Sequence, residues 1–287
     1  MTANKAILMI HCSDQQGLIA KITSFIFGFQ GNITYLDQYV DPDEDRFFMR
    51  LEWELDSFNV TLQEFEAKFL TELATPLKMQ YQLSYTGKSQ RVAIFVTKES
   101  HCLFDILARV KAEEFNIEVP AIISNREDLR FVADLFGIPF YHFEITKENH
   151  KAQENAELEL LQSLKIDLVV LARYMRIVTA VLVDPFENKI INIHHSMLPA
   201  FAGARPYHAA IERGVKVIGA TSHYVTCDLD QGPIIEQETA HVKYNEKLPE
   251  LLRKGKDLEK IVLSRAIALH LERRVMVYKN RTVIFKT

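Results

Sequence analysis

Along the first 85 residues the apolar positions change period several times. KAILMIHC (5–12) has the apolar density of a strand, and Leu18, Ile19, Ile22, Phe25 and Ile26 then recur at helical spacing, with Gly31 placed to close the helix. ITYLDQYVD and RFFMRLEWEL predict two strands joined by the charged turn PDEDR. TLQEFEAKFLTELA predicts a second helix and MQYQLSYT a closing strand, which makes the order βαββαβ.

After the polar link TGKSQ (86–90) the pattern changes. RVAIFVT, IEVPAIIS, IDLVVLA and NKIINIHH are short, nearly continuous apolar runs, as expected of strands covered on both faces. CLFDILARVKAEE, REDLRFVADLF and NAELELLQSLK lie between them with helical spacing. This alternation predicts an α/β domain with a doubly wound, mostly parallel sheet behind the smaller ferredoxin-like βαββαβ domain. The helix LEKIVLSRAIALHLERR and the hairpin VMVYKNRTVIF end the chain. A length of 287 residues suits two domains, set here at 1–86 and 87–287.

Composition removes several classes of function. With 48% hydrophobic and 25% charged residues the chain has ample material for packed cores, and a net charge of −4 offers no basic field for a nucleic acid. Cys12, Cys102 and Cys227 never occur as Cys-x-x-Cys, so neither a zinc knuckle nor a disulfide framework is expected. No stretch approaches the roughly 18 apolar residues of a membrane span, and a cytoplasmic location is expected.

Ligands of open parallel sheets sit beyond the carboxyl ends of the strands, which is where INIHHS (191–196) falls. Strand alternation groups Asn192 with His194 and turns His195 to the other face, as far as the strand runs. Downstream, HYVTCDLDQGPIIEQ carries His223 and Asp230 on either side of a strand end, with Gly232 and Pro233 marking a turn. An amide, an imidazole and a carboxylate together can stabilise an oxyanion and activate water. Zinc is disfavoured, because the histidines lack paired ligand spacing and adjacent strand residues diverge. The residues alone leave catalysis and ordinary packing both open.

Two resemblances extend this reading. SDQQGLI between the first strand and first helix, within the βαββαβ order, resembles the ACT domain over about residues 6–85. That likeness implies an amino-acid effector, glycine or methionine for example, near Asp14, Gly17 and Asn32, and a homo-oligomer built through paired modules. NIHHSMLPAFAGARPYHAAIERGVKVIGATSHYVTCDLDQGPIIEQ, with its Asn-x-His and distant Leu-Asp-x-Gly-Pro, resembles the folate-dependent formyl-transfer enzymes over roughly residues 91–287. Within them FVTKESHCLFDIL matches the hydrolytic branch, because it lacks the glycine-rich phosphate loop of relatives acting on a phosphorylated glycinamide.

The second resemblance implies hydrolysis of 10-formyltetrahydrofolate to tetrahydrofolate and formate, balancing the one-carbon pool and supplying formate for purine synthesis. Its catalytic trio falls on Asn192, His194 and Asp230. Met175, Arg176, Ile177 and Val178 of LARYMRIV, with His223, fall on substrate-binding positions. No metal or redox cofactor is implied. A formyltransferase acting on an amine, and an amino-acid sensor with a degenerate enzyme domain, are the alternatives. Arg126 and Lys279 depart from the pattern, standing where His and Gly are usual.

Overall fold

A computed structural model describes residues 4–87, 89–200 and 206–286. Contacts divide the chain into two compact units, and the division is not a single cut. The first unit runs to residue 88 and also takes Glu272–Met276 and Val283–Thr287, while the second holds Ser89–Leu271 and Val277–Thr282. The expected continuous second domain, 87–287, therefore differs from this partition at its C-terminal end.

In the first unit, β1 (Lys5–Ser13), α1 (Leu18–Gly28), β2 (Asn32–Asp41), β3 (Arg46–Glu54), α2 (Leu62–Phe69) and β4 (Gln80–Tyr85) follow the expected order. The sheet is antiparallel with order β2-β3-β1-β4, and Leu8 sits opposite both Leu51 and Leu83. Apolar burial drives its closure: Leu18, Ile22 and Ile26 of α1 pack with Trp53, Phe65 and Phe69. Thr61 and Glu64 form a capping box that starts α2, which runs on into a π-helical turn at Leu70–Ala74. Gly31 donates to Ile26 O at 3.1 Å beyond the end of α1, and a Cβ there would meet Ile26 Cγ2 at 2.5 Å. Close approach, rather than the cap itself, requires that glycine.

The C-terminal segments supply something specific to this unit. Arg50 is 3% exposed, and its guanidinium donates to the carbonyls of Glu272 and Arg273 at 2.8 and 2.6 Å and to Glu52 at 2.7 Å. Those acceptors are what make burial of the charge tolerable.

The second unit contains β5 (Gln90–Val96), α3 (His101–Lys111), β6 (Ile117–Ser124), α4 (Arg130–Phe136), β7 (Phe140–His142), α5 (His150–Ser163), β8 (Leu168–Leu171), α6 (Ala180–Val183), β9 (Ile190–His194), α7 (Pro206–Glu212), β10 (Val217–Tyr224), β11 (Ile234–His241) and α8 (Leu248–Leu271). Its sheet has the order β11-β10-β9-β8-β5-β6-β7. The run from β9 to β7 is parallel, whereas β10 and β11 are added antiparallel at one edge. From β5 the chain moves outward to β6 and β7, then returns to place β8 on the other side of β5, so a topological switch point lies between β5 and β8. The hairpin β12 (Val275–Tyr278) and β13 (Arg281–Ile284) ends the chain, and Lys279 in its turn adopts φ +54°, the region glycine favours.

Candidate active site

The strand ends beside the switch point open onto a cavity of about 650 Å³, lined by the segment after β8, by the end of β9 and by the loop after β10. Asn192, His194, His223 and Asp230 all line it, as do Met175, Arg176, Ile177 and Val178. Every substrate and catalytic position expected from the sequence is thus brought to one place.

The polar groups are connected in a definite order. His223 pairs with Asn192 across β9 and β10, and its Nδ1 donates to Tyr224 O at 2.9 Å. Burial pushes the His223 imidazole below its ordinary range, so the ring is neutral and Nε2 accepts from Asn192 Nδ2 at 3.2 Å. His194 presents Nδ1 to Asp230 Oδ2 at 3.3 Å. The hydrogen bond from His194 holds the Asp230 carboxyl below the usual carboxylate range against the opposing effect of burial. The other His194 nitrogen, Nε2, is buried with no partner among the described residues.

Local backbone requirements explain how Asp230 reaches this position. It adopts φ +55°, and the following turn crosses the end of β10 so closely that a Cβ on Gly232 would lie 1.8 Å from Tyr224 O. Tyr224 N then donates to Pro233 O at 2.9 Å, closing the turn. On the opposite side, Thr221 Oγ1 donates to Ser196 O at 2.8 Å and accepts from Leu198 N at 3.0 Å, so the chain leaving β9 is fastened to β10. The Leu198–Pro199 peptide is cis. The motif continues into residues 201–205, which lie outside the described residues.

The face expected for His195 is not the one found. β9 ends at His194, so alternation stops one residue short, and the two imidazoles stack with centroids 5.0 Å apart and planes at 28°. His195 lines the same cavity, and burial, followed by the charges of Arg173 and His194, pushes its pKa down to about 4. Behind it, Glu259 of α8 accepts from His101 Nε2 at 2.7 Å and from Tyr207 Oη at 3.2 Å, with Arg173 Nε at 3.4 Å. The nearby His101, Cys102 and Glu259 ligand atoms lie within 4.8 Å of one another. The adjacent Arg173 cation and a Cys102 thiol raised by burial make that set a poor cage for a cation.

The wall formed by residues 173–178 mixes exposed apolar side chains with a firmly held backbone. Met175 and Ile177 are more than half exposed, whereas Tyr174 and Val178 are buried. Met175 N donates to Thr97 Oγ1 at 2.9 Å, and Thr97 donates onward to Asn125 at 2.8 Å. These supports, together with Arg173 and Leu229, were not singled out in the sequence, whereas Gly232 was marked as a turn residue. Only the glycine and the polar strand ends carried a signal that alternation or turn chemistry could expose.

In the first unit, Asp14 and Gly17 line a separate cavity of about 450 Å³ with Gln15, Leu18, Gln38, Val40 and Phe47. Gly17 has φ +87° and is the N-cap of α1, which no side chain caps. Asn32 is not brought there: it lies at the other end of β2 and donates to Glu54 Oε2 at 2.8 Å. Its expected grouping with Asp14 and Gly17 is corrected accordingly.

Residues 90–267 match the family model described as formyl transferase. The chain is 50% identical over 280 residues to a formyltetrahydrofolate deformylase of Synechocystis sp., covering 98% of both chains. A solved formyltetrahydrofolate deformylase from Pseudomonas syringae pv. tomato superposes with a TM-score of 0.96 at 38% identity, covering 100% of this chain and 96% of that one. A glycinamide ribonucleotide transformylase from Symbiobacterium toebii superposes with a TM-score of 0.66 at 32% identity and covers 71% of this chain. The transformylase likeness leaves out more than a quarter of the chain, whereas the deformylase likeness runs essentially from end to end; the chain belongs to the formyltetrahydrofolate deformylase family, and its second unit carries the formyl transferase fold.

Proposed function

We propose that this protein hydrolyses 10-formyltetrahydrofolate to tetrahydrofolate and formate. The supporting observation is the placement of Asn192, the His194–Asp230 pair and the 173–178 wall around one cavity. The ionised Asp230 orients water toward the formyl carbon. As the carbonyl oxygen gains charge, the second Nδ2–H of Asn192 and a protonated His194 Nε2 donate to it. Asp230 takes the proton that water releases as its oxygen bonds to carbon. Collapse of the tetrahedral intermediate then breaks the C–N bond, and His194 gives its Nε2 proton to N10. The proton on Asp230 recharges the imidazole, and formate leaves with the water oxygen while one proton is released to solvent. The sequence of steps requires no metal or redox cofactor. Met175, Ile177 and Val178 supply apolar cover for the pterin, and backbone groups of this loop meet its amides.

Incubation with 10-formyltetrahydrofolate and no amine acceptor tests this reading. Formate release at a rate independent of added amines is expected. Loss of substrate only when an amine is supplied would establish a transferase instead, and binding without loss a sensor.

Further assignments accompany this reading. The cavity beside Asp14 and Gly17 is the place for an amino-acid effector such as glycine or methionine, acting by differential affinity for two states. Homo-oligomerisation through the first unit would bring paired copies of that site together. Balancing the one-carbon pool and supplying formate for purine synthesis are the physiological roles, and the free cysteines Cys12, Cys102 and Cys227 suit a reducing cytoplasm. Calorimetry with each amino acid, combined with formate-release assays, checks the effector assignment; no heat and no change in rate would overturn it.

A further inference from the structure

Two carboxyls that the reaction does not use are as buried as the core. Glu154 and Glu157 stand one turn apart on α5, each 2% exposed, and share its buried stripe with Leu161. A helix packed against a sheet ordinarily places only apolar residues on that stripe. Among the described residues neither acid has a Lys, Arg or His partner within ion-pair distance. A buried carboxyl without a cation is costly unless hydrogen bonds satisfy it, so an apolar pair would serve packing better.

Their hydrogen-bond partners are the two ends of the substrate wall. Thr179 donates its backbone N–H to Glu154 Oε1 and its hydroxyl to Oε2, each at 2.5 Å. Tyr174 Oη donates to Glu157 Oε1 at 3.3 Å, while its ring meets Phe95 edge-on at 5.2 Å. Tyr174 and Thr179 bracket Met175–Val178. Between them Met175 N is held by Thr97, and Arg176 Nη2 donates to Ile145 O at 3.0 Å. The loop therefore owes its shape to Thr97 just after β5, to the Ile145 carbonyl and to the two acids of α5, and not to regular structure of its own.

We propose that Glu154 and Glu157 are positioning residues for the folate site, holding the loop Arg173–Val178 at both ends in the shape that receives the substrate. This rests on the folate reading above and adds to it how the wall is set. The two acids act on affinity for the folate, not on the chemical step. Their own relationship sets a pH dependence as well. Burial, with the charge of Glu154 adding to it against the Tyr174 hydrogen bond, pushes the Glu157 carboxyl up to about 7. The groups facing Glu157 are Glu154 on its own helix and Tyr174 on the loop, with Arg176 acting on Tyr174. Ionisation of Glu157 works against the neighbouring charge of Glu154 but makes its carboxyl a stronger acceptor for the Tyr174 hydroxyl, which tightens the hold on that end of the loop.

The test uses the full chain, steady-state kinetics with 10-formyltetrahydrofolate and equilibrium binding of tetrahydrofolate. Glu154→Gln and Tyr174→Phe are expected to raise both KM and the tetrahydrofolate Kd about 3-fold to 30-fold with little change in kcat, the effect of one or two lost hydrogen bonds. Wild-type KM is expected to fall between pH 6.5 and 8.5, as Glu157 ionises and holds Tyr174 more firmly. Glu157→Gln keeps a neutral acceptor for Tyr174 and is expected to hold KM flat across that range. Should Glu154→Gln fail to fold, Tyr174→Phe leaves both acids in place and keeps the test open. A fall in kcat at unchanged KM, or lower thermal stability at unchanged KM and Kd, would overturn the inference. A wild-type protein that releases no formate and binds no tetrahydrofolate would instead overturn the folate reading beneath it.

Discussion

Asn192 Nδ2 donates to Nε2 of His223 at 3.2 Å, and the other nitrogen of that ring donates to Tyr224 O at 2.9 Å. One tautomer of a neutral imidazole satisfies both bonds, which also decides which way the Asn192 amide points. The second Nδ2 hydrogen is left for the carbonyl oxygen. Replacing His223 by Leu removes the acceptor and frees the amide to turn, with an expected loss of about tenfold in kcat, the effect of one misplaced hydrogen bond. His223→Gln, whose carbonyl can accept the same hydrogen, is expected to recover part of it. Equal losses in both variants would separate His223 from the orientation of Asn192.

Asp230→Asn should remove the charge that organises water and pairs with His194. A loss of roughly 10²-fold to 10⁴-fold in turnover is expected, with tetrahydrofolate binding still measurable by calorimetry. Because the His194 hydrogen bond holds the Asp230 carboxyl below its usual range, this group stays ionised on acidification past the ordinary carboxylate pKa. An acid limb in kcat that vanishes in an active Asp230→Glu variant would contradict the assignment.

His195 makes a prediction about stability. Its folded pKa is pushed down to about 4 from an ordinary 6.5. Between those values the unfolded chain binds a proton that the folded one does not, so stability is lost as pH falls from 6.5 toward 4. His195→Asn should lose less stability over that window in urea denaturation. Its turnover should also exceed that of His194→Asn, despite the stacking of the two rings. Parallel stability curves for His195→Asn and wild type would show that the imidazole is not held neutral.

Gly232→Ala is a backbone test of the same site. An added methyl cannot coexist with Tyr224 O at 1.8 Å, so the turn must move and carry Asp230 with it. Turnover is expected to fall more than tenfold with a measurable drop in Tm, whereas Gly214→Ala, with φ +60° but open space around its Cβ, should affect Tm alone.

Periodicity exposed the long elements of both units because each buries one face or two against a core. It was silent on β7, with three residues, and α6, with four, since neither completes enough repeats to declare itself. β10 was obscured differently: Thr221, Ser222 and His223 are polar yet almost wholly buried, satisfied by neighbouring carbonyls and side chains. Within the site, alternation correctly joined Asn192 to His194 and failed at His195 because the strand stops there. Asp230 could not be placed by any period, since a left-handed residue before a close turn delivers it. Helical spacing did not mark Glu154 or Glu157, because their partners Thr179 and Tyr174 are more than fifteen residues away in sequence.

Arg50 has a consequence for synthesis. The strands that build its sheet lie before residue 86, but the two carbonyls that accept from its guanidinium belong to Glu272 and Arg273, made more than two hundred residues after Arg50 itself. Until they arrive, the guanidinium of Arg50 in a nascent first unit has Glu52 but neither of these two carbonyls to accept from it. Completion of that unit thereby waits for residues made more than two hundred positions later, and a chain truncated at Leu271 would leave Arg50 without two of its three acceptors.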